Sequence, residues 1–392
     1  MKHAIYYGKQ TITAEDISAV SDVLHSDRLT QGSAVENFEK ALAQCVQAQY
    51  AVACSNGTTA LHLACLGLGI TAGDTVWVSA VSFVATANCA RYCGADVKFI
   101  DIDPATGNIA TSALANMLAQ AEQQQKLPKA IIVVHLGGNS CDMRTVARLC
   151  QPHDIAIIED SCHALGSTYQ GQPIGSCQYS DCCVFSFHPV KSITTAEGGM
   201  LTCNDQQLAL RIRLFASHGI TKDNTQWQQK TAAPWYYEQQ LLGYNYRLSD
   251  LQAALGLSQL QRLNQFIDAR QQIAARYQQA FSSYLPMQTL IPNSQSAYHL
   301  ALIRCPNTNV RSAIYQALAA QHIFCQFHYI PIYRQPYYQA LNANNYADYP
   351  GAEEHYLHAL SLPIYPTLST ADQQRIITIV CMVLDTHLQL TN

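Results

Sequence analysis

"IAIIEDSCHALG", residues 155–166, is an apolar run that ends on two adjacent carboxylates, Glu159 and Asp160. Four apolar residues ahead of them read as a buried strand, which places both carboxylates at its carboxyl end. Working outward, similar short β-branched runs stand at "TVWVS" (75–79), "DVKFID" (96–101), "KAIIVVHL" (129–136) and "CCVFSF" (182–187). Helical stretches separate them, such as "SALANMLAQAEQQ" (112–124) and "MRTVARLC" (143–150). Strands alternating with helices predict an α/β fold, with a mainly parallel sheet sandwiched by helices. Nearly continuous apolar strands such as Ile131 to Val134 fit full burial.

Before this region, "TITAEDISAVSDVLHS" (11–26) predicts a helix with Thr13 as N-cap, Asp16 at its third position, and Ile17, Val20 and Leu24 on one apolar face. "FEKALAQCV" (38–46) predicts a second helix. After it, the pattern breaks at "WQQKTAAPWYYEQQLLGYNYR" (227–247). A long amphipathic helix is then expected from Ser249, with Leu251, Ala254, Leu255, Leu257 and Leu260 on its apolar side. "YHLALIR", a helix near Ser312 to Gln321, "HIFCQF" and two terminal helices complete a smaller α+β unit. The expected division is a large domain over 13–245 and a small C-terminal domain over 246–392, with residues 1–12 packing near the small domain and the site.

The 392 residues are 48% hydrophobic and only 13% charged, with a formal net charge of -4. That balance offers no overall attraction to nucleic acid or to anionic lipid, so any phosphate must be held by a local site. No apolar run reaches transmembrane length, and "MKHAIYYGKQ" has no signal-like apolar core. The 15 cysteines contain no C-x-x-C pair. They read as small buried hydrophobes in a reducing cytoplasm, with no metal site expected.

No G-x-G-x-x-G follows a strand and no G-x-x-x-x-G-K-[ST] occurs, which disfavours dinucleotide and P-loop folds. "CSNGTTALHLA" (54–64) instead puts Gly57, Thr58 and Thr59 at the start of a helix. That is either an ordinary capped helix or an anion site made of free N–H groups and hydroxyls. Asp160 either serves a ligand at the strand edge or caps the next helix; His163 faces the same place or satisfies a backbone carbonyl. The chain has nine lysines: 2, 9, 40, 98, 126, 129, 191, 222 and 230. Lys191, in "FSFHPVKSITTAEGGM" (185–200), is either a surface loop residue or an amine held in a cleft and made nucleophilic by desolvation. Ser186 could serve the same phosphate as Thr58. A phosphate at a helix start, a carboxylate at a strand end and a Schiff-base lysine are together what pyridoxal 5′-phosphate needs.

With those motifs assembled, the chain resembles the DegT/DnrJ/EryC1/StrS family of fold-type I, pyridoxal-phosphate-dependent nucleotide-sugar aminotransferases. The likeness runs nearly end to end, from "YYGKQTITAEDISAV" through "NGTTALHLA", "SAVSFVATANC", "IIEDSCHALGSTYQGQPIGS" and "FSFHPVKSITTAEGGM" to "LGYNYRLSDLQAALGLSQL" and "HYIPIYRQPYY". The resemblance implies Lys191 as the Schiff-base lysine and Asp160 as the pyridinium partner. It implies His163 at a position where most members carry a glutamine facing the ring hydroxyl, and Phe83 stacked on the ring. Gly57, Thr58 and Ser186 would contact the phosphate, and Asn245 would reach the phosphate of a partner subunit in a homodimer. Tyr6, Thr30, Gly32, His188, His328 and Tyr329 would lie near the sugar nucleotide. "PWYYEQQLLGYNYRLSD" and the "HYIP" segment resemble the pseudaminic acid branch, which moves an amino group from glutamate to a UDP-linked 4-keto-6-deoxy-N-acetylhexosamine. Siblings acting toward 4-amino-4-deoxyarabinose, perosamine or 3-amino sugars, and a non-catalytic binding protein on the same fold, are the alternatives. The family's dehydratase branch carries histidine where Lys191 stands.

Overall fold

A computed structural model describes residues 3–229, 233–341 and 344–389; Lys2 and Lys230 lie outside them. The predicted strands form, and two more join them. The sheet contains β1 (Tyr50–Cys54), β2 (Thr75–Ser79), β3 (Asp96–Ile100), β4 (Ala130–Val134), β5 (Ala156–Asp160), β6 (Cys182–Ser186) and β7 (Gly199–Cys203). Their order across the sheet is β1-β7-β6-β5-β4-β2-β3. Strands β3, β2, β4, β5 and β6 pair in parallel, while β7 runs antiparallel between β6 and β1. The glycine pair 198–199 therefore opens a strand: Gly199 is the first residue of β7, opposite Ser186 of β6 and Cys54 of β1.

The period of two in a strand divides the sheet's side chains between two cores. Val76, Val78, Ile132 and Ile158 face one side and Trp77, Ile131, Val133 and Ile157 the other. Helices α3 (Gly57–Gly67), α4 (Ala85–Tyr92) and α7 (Gln206–Ala216) contribute to the first core, and α5 (Thr111–Gln123) and α6 (Met143–Cys150) to the second. Helices thus cover both faces of a mostly parallel sheet.

Two helical faces differ from the reading of the sequence. In α1 (Ala14–Leu24) the capping pair forms, with the Thr13 N–H donating to Asp16 Oδ2 at 3.0 Å. The helix nevertheless buries Asp16 and leaves Ile17 and Leu24 exposed. Asp16 accepts from Ser258 and Gln259, both at 2.7 Å, and pairs with Arg262, so a buried polar network fixes the face. Helix α8 (Asp250–Leu260) buries Ala253, Ala254, Gly256 and Gln259, and its leucines stay half-buried. The small side is needed for closeness: a Cβ on Gly256 would stand 2.6 Å from Phe38 Cζ of α2 (Ser33–Val46).

A further core gathers Ile5 with residues of α9 (Leu263–Phe281), β8 (Ala301–Arg304), α10 (Thr308–Ala319), β9 (Ala359–Leu362) and α11 (Thr370–Gln389). Helix α9 serves both sides, sending Leu263, Phe266 and Ile267 to the core under α2 and Ile273, Ala274, Tyr277 and Phe281 to the C-terminal core. The division expected at 245 thus falls ahead of α8, which still packs on α1 and α2. Among the described residues, no helix is long and apolar enough to cross a membrane.

Candidate active site

The carboxyl ends of β1, β5 and β6 open onto a cavity of about 1020 Å³, closed on the far side by residues 326–330 and Tyr7. Sequence-predicted residues Gly57, Thr58, Phe83, Asp160, His163, Ser186, His188, Lys191, His328 and Tyr329 all line it.

At one end is the start of α3. Asn56 caps it through its side chain, which accepts from the Thr59 N–H at 2.8 Å, and the Thr59 hydroxyl donates back to Asn56 O at 2.8 Å. Thr59 is thereby committed to the cap, whereas Thr58 lines the cavity and its hydroxyl makes no hydrogen bond among the described residues. Gly57 sits so close to β6 that a Cβ there would meet Ser186 Cβ at 2.9 Å. The first N–H groups of the helix and the Ser186 hydroxyl therefore share one corner, which suits a phosphate.

Asp160 ends β5 and is buried. Its Oδ2 accepts from Thr86 Oγ1 at 2.7 Å and its Oδ1 from the Cys162 N–H at 3.2 Å. Thr86 was not singled out in the sequence; it lies one turn beyond Ser82, whose hydroxyl is 2.6 Å away.

Lys191 rides the loop between β6 and β7, its N–H donating to His188 O at 2.9 Å. Its amine makes no hydrogen bond or ion pair among the described residues. Burial holds the amine below the usual lysine range, against the opposing pull of Cys162 and Asp160. A half-buried amine without a partner, held below the usual lysine range, is suited to attack a carbonyl.

His163 accepts from the Gly137 N–H through Nδ1 at 3.3 Å, so the proton of the neutral ring is on Nε2, facing Tyr329 Oη at 3.1 Å. Burial first, then the nearby Lys191 and His328, keeps His163 well below its ordinary range. Burial similarly pushes His328 down to about 3. Its Nδ1 is 2.8 Å from Ser361 Oγ, and its carbonyl lies 3.0 Å from His355 Nε2. Tyr329, expected beside the sugar, thus pairs with the histidine expected beside the cofactor ring.

Four expected residues lie elsewhere in this chain. Tyr6 turns outward and stacks on Phe324 at 5.4 Å, because Ile5 pairs with Ile323 and the extended chain alternates. Its neighbour Tyr7 lines the cavity instead. Thr30 bridges to Ser249, and the Gly32 N–H donates to Asp250 Oδ2 at 2.8 Å. Asn245 is exposed and bridges to Ser217.

A phosphate corner, a buried carboxylate and an unpaired amine around one cavity fit pyridoxal 5′-phosphate: the Thr58 hydroxyl and the Lys191 amine both line it with no partner among the described residues. On this sheet order, that class of protein is the fold-type I, pyridoxal-phosphate-dependent transferases. The sequence model of the DegT/DnrJ/EryC1/StrS aminotransferase family matches residues 10–381, and the chain belongs to that family. It is accordingly a pyridoxal-phosphate-dependent sugar aminotransferase.

Similar proteins include the spore coat polysaccharide biosynthesis protein SpsC of Bacillus subtilis, 37% identical over 382 residues and 96% of each chain. A UDP-4-amino-4,6-dideoxy-N-acetyl-β-L-altrosamine transaminase of Campylobacter jejuni is 35% identical over 372 residues and 94% of each chain. Among solved structures, Helicobacter pylori PseC, an aminotransferase of pseudaminic acid biosynthesis, superposes with a TM-score of 0.89 at 31% identity, covering 98% of this chain and 100% of the other.

Proposed function

We propose that this aminotransferase moves the amino group of L-glutamate to C4 of a UDP-linked 4-keto-6-deoxy-N-acetylhexosamine, a step of pseudaminic acid biosynthesis. The observation that carries the amino-transfer chemistry is the unpaired, burial-depressed amine of Lys191 opposite Asp160. The likeness to the Campylobacter transaminase and to PseC supports the choice of sugar.

Pyridoxal phosphate, when bound, supplies the carbonyl that takes up the amino group and a ring that withdraws electrons. The chain's residues supply the rest. The start of α3, Thr58 and Ser186 would hold the phosphate. Asp160, an acceptor kept oriented by Thr86 and the Cys162 N–H, would pair with a protonated ring nitrogen. Lys191, once released, would take the proton from the donor's α-carbon in one half-reaction and deliver one to C4 of the sugar in the other. His163, a neutral donor locked by Gly137 and Tyr329, would face the ring hydroxyl. Phe83 would cover the ring face. Thr30, Gly32 and Asn245, which lie outside this chain's cavity, would serve the partner's site in a cytoplasmic homodimer, and Tyr6 would remain at the sugar's entrance.

The test is product analysis with purified protein, glutamate, and UDP-, dTDP- and GDP-linked 4-keto-6-deoxy sugars. Preferred amination of the UDP-N-acetyl sugar, with release of 2-oxoglutarate and ping-pong kinetics, is expected. Preference for a dTDP or GDP sugar would transfer the chain to a sibling branch. No amination of any of them would refute the reading.

A further inference from the structure

Lys191 also borders a second, much smaller cavity, of about 10 Å³, room for one atom-sized occupant. The N-terminal segment brings Lys9 and Thr11 to it, the β6–β7 loop Lys191 and Thr194, α8 Gln259, and α9 Arg270. Among the described residues no carboxylate lines it. Gln259 Nε2 donates to Thr11 O at 2.9 Å and to Asp16 Oδ2 at 2.7 Å, which fixes the Thr11 backbone in the wall.

Two buried polar atoms of these lining residues have no hydrogen-bond partner among the described residues: Arg270 Nε and Thr11 Oγ1. Arg270 is only 1% exposed. Its Nη1 donates to Ile364 O at 2.9 Å and, at 3.4 Å, to the carbonyls of Tyr298 and His299. No carboxylate pairs with it among the described residues. A buried guanidinium ordinarily has such a partner, because a charge taken out of water unpaired is costly. Carbonyl dipoles at Nη1 offset part of that cost and leave the Nε–H unserved.

We propose that this cavity binds a monatomic anion, chloride being the common one, held between the Arg270 Nε–H and the Thr11 hydroxyl. Both unserved groups can donate, and the charged residues around the space are all cationic. The space admits a single atom-sized body, which excludes a tetrahedral oxyanion such as phosphate or sulfate. Thr11 belongs to the segment that also sends Tyr7 to the main cavity, and Lys191 lines both cavities. A bound halide therefore ties the N-terminal segment to α9 beside the loop that carries the amine, and offsets the charge of Arg270 there.

The experiment melts the holoenzyme in sodium gluconate at one fixed, low ionic strength, with increasing shares of the gluconate exchanged for chloride or bromide. Either halide should raise the melting temperature to a plateau, since it binds the folded chain and gluconate is too large to enter. Replacing Arg270 would also remove its carbonyl bonds, so the test variant is Thr11→Val, which keeps the shape and takes away one donor. Its halide affinity should fall tenfold or more, the worth of a hydrogen bond to a charged group. Crystals grown in bromide should show an anomalous peak within hydrogen-bonding reach of Arg270 Nε and Thr11 Oγ1. Equal melting in all three salts, a halide effect that Thr11→Val leaves unchanged, or density there that is water with no anomalous signal would overturn the proposal. None of these readouts depends on which sugar the enzyme aminates.

Discussion

Replacing Gly57 with alanine isolates the phosphate corner from the rest of the site. The added Cβ would meet Ser186 Cβ at 2.9 Å, Ser186 Oγ at 3.2 Å and Cys162 Sγ at 3.4 Å. The nearest of these atoms belongs to a strand paired on both edges and cannot swing aside, so the start of α3 must retreat from β6. Overpacking of this kind costs about 1–3 kcal/mol. Alanine returns up to about 1 kcal/mol of helix propensity, so overall stability should fall by no more than about 3 kcal/mol. The loss should appear instead in the cofactor, because the N–H groups and the Ser186 hydroxyl no longer converge. About 1–2 kcal/mol of lost phosphate binding weakens pyridoxal phosphate affinity about 5- to 30-fold. Titrating apo-protein by absorbance measures this, and covalent capture at Lys191 cancels in the ratio to wild type. Wild-type affinity in a folded Gly57→Ala protein would show that phosphate does not bind at this corner.

Other expectations follow from the same geometry. Lys191→Ala should lose both the visible absorption of lysine-bound cofactor and borohydride-stable labelling, measured on protein incubated with pyridoxal phosphate; retained labelling would assign the anchor to another lysine. Since burial lowers the folded pKa of Lys191 below its unfolded value, the unfolded chain holds more protons between the two, and stability rises with pH across that window. Apo Lys191→Met should therefore exceed wild type in urea denaturation at pH 7 by a margin that shrinks toward pH 10; a margin that does not change with pH would contradict the shift. Tyr329→Phe removes the hydroxyl opposite His163 Nε2, a bond worth about 1 kcal/mol, and should displace the pH midpoint of the cofactor's visible spectrum. An unmoved midpoint would detach the pair from the ring. Asp250 accepts from the N–H groups of Gly32, Ala34 and Val35. Asp250→Ala should cost about 2–4 kcal/mol in chemical denaturation, and a loss under about 1 kcal/mol would mean that water replaces the carboxylate.

The parts of this fold legible in the sequence were those with a clear period and a hard stop. Ile155–Asp160 and Cys182–Ser186 were readable because apolar runs end abruptly on residues that cannot be buried unpaired. The strand at Gly199 was hidden because glycine signals a turn, whereas here the lack of a side chain admits the backbone of Asn56, 2.3 Å from where a Cβ would stand. The faces of α1 and α8 were misread because periodicity registers apolar residues only. What decides those faces is an ionic network at Asp16 and the tight fit of Phe38 on Gly256. Lys191, Asp160 and the residues of the phosphate corner carry a signal in residue type and order, and they line one cavity. Thr86 and Tyr7 were not, since a hydroxyl four residues from another and one tyrosine of a pair carry no signal until the chain is folded.

Helix α9 has a consequence for how this molecule comes apart. Its first turns are anchored in one apolar core and its last turns in another, with the buried Arg270 between them donating to Ile364 O at 2.9 Å. Neither core can be exposed while the other keeps the helix wound, since fraying from either end reaches the shared segment within two or three turns. A chain of two packing units built on such a common strut should melt in one cooperative transition. The amine on the β6–β7 loop and the tyrosine brought by the far unit should then lose their alignment at the same temperature.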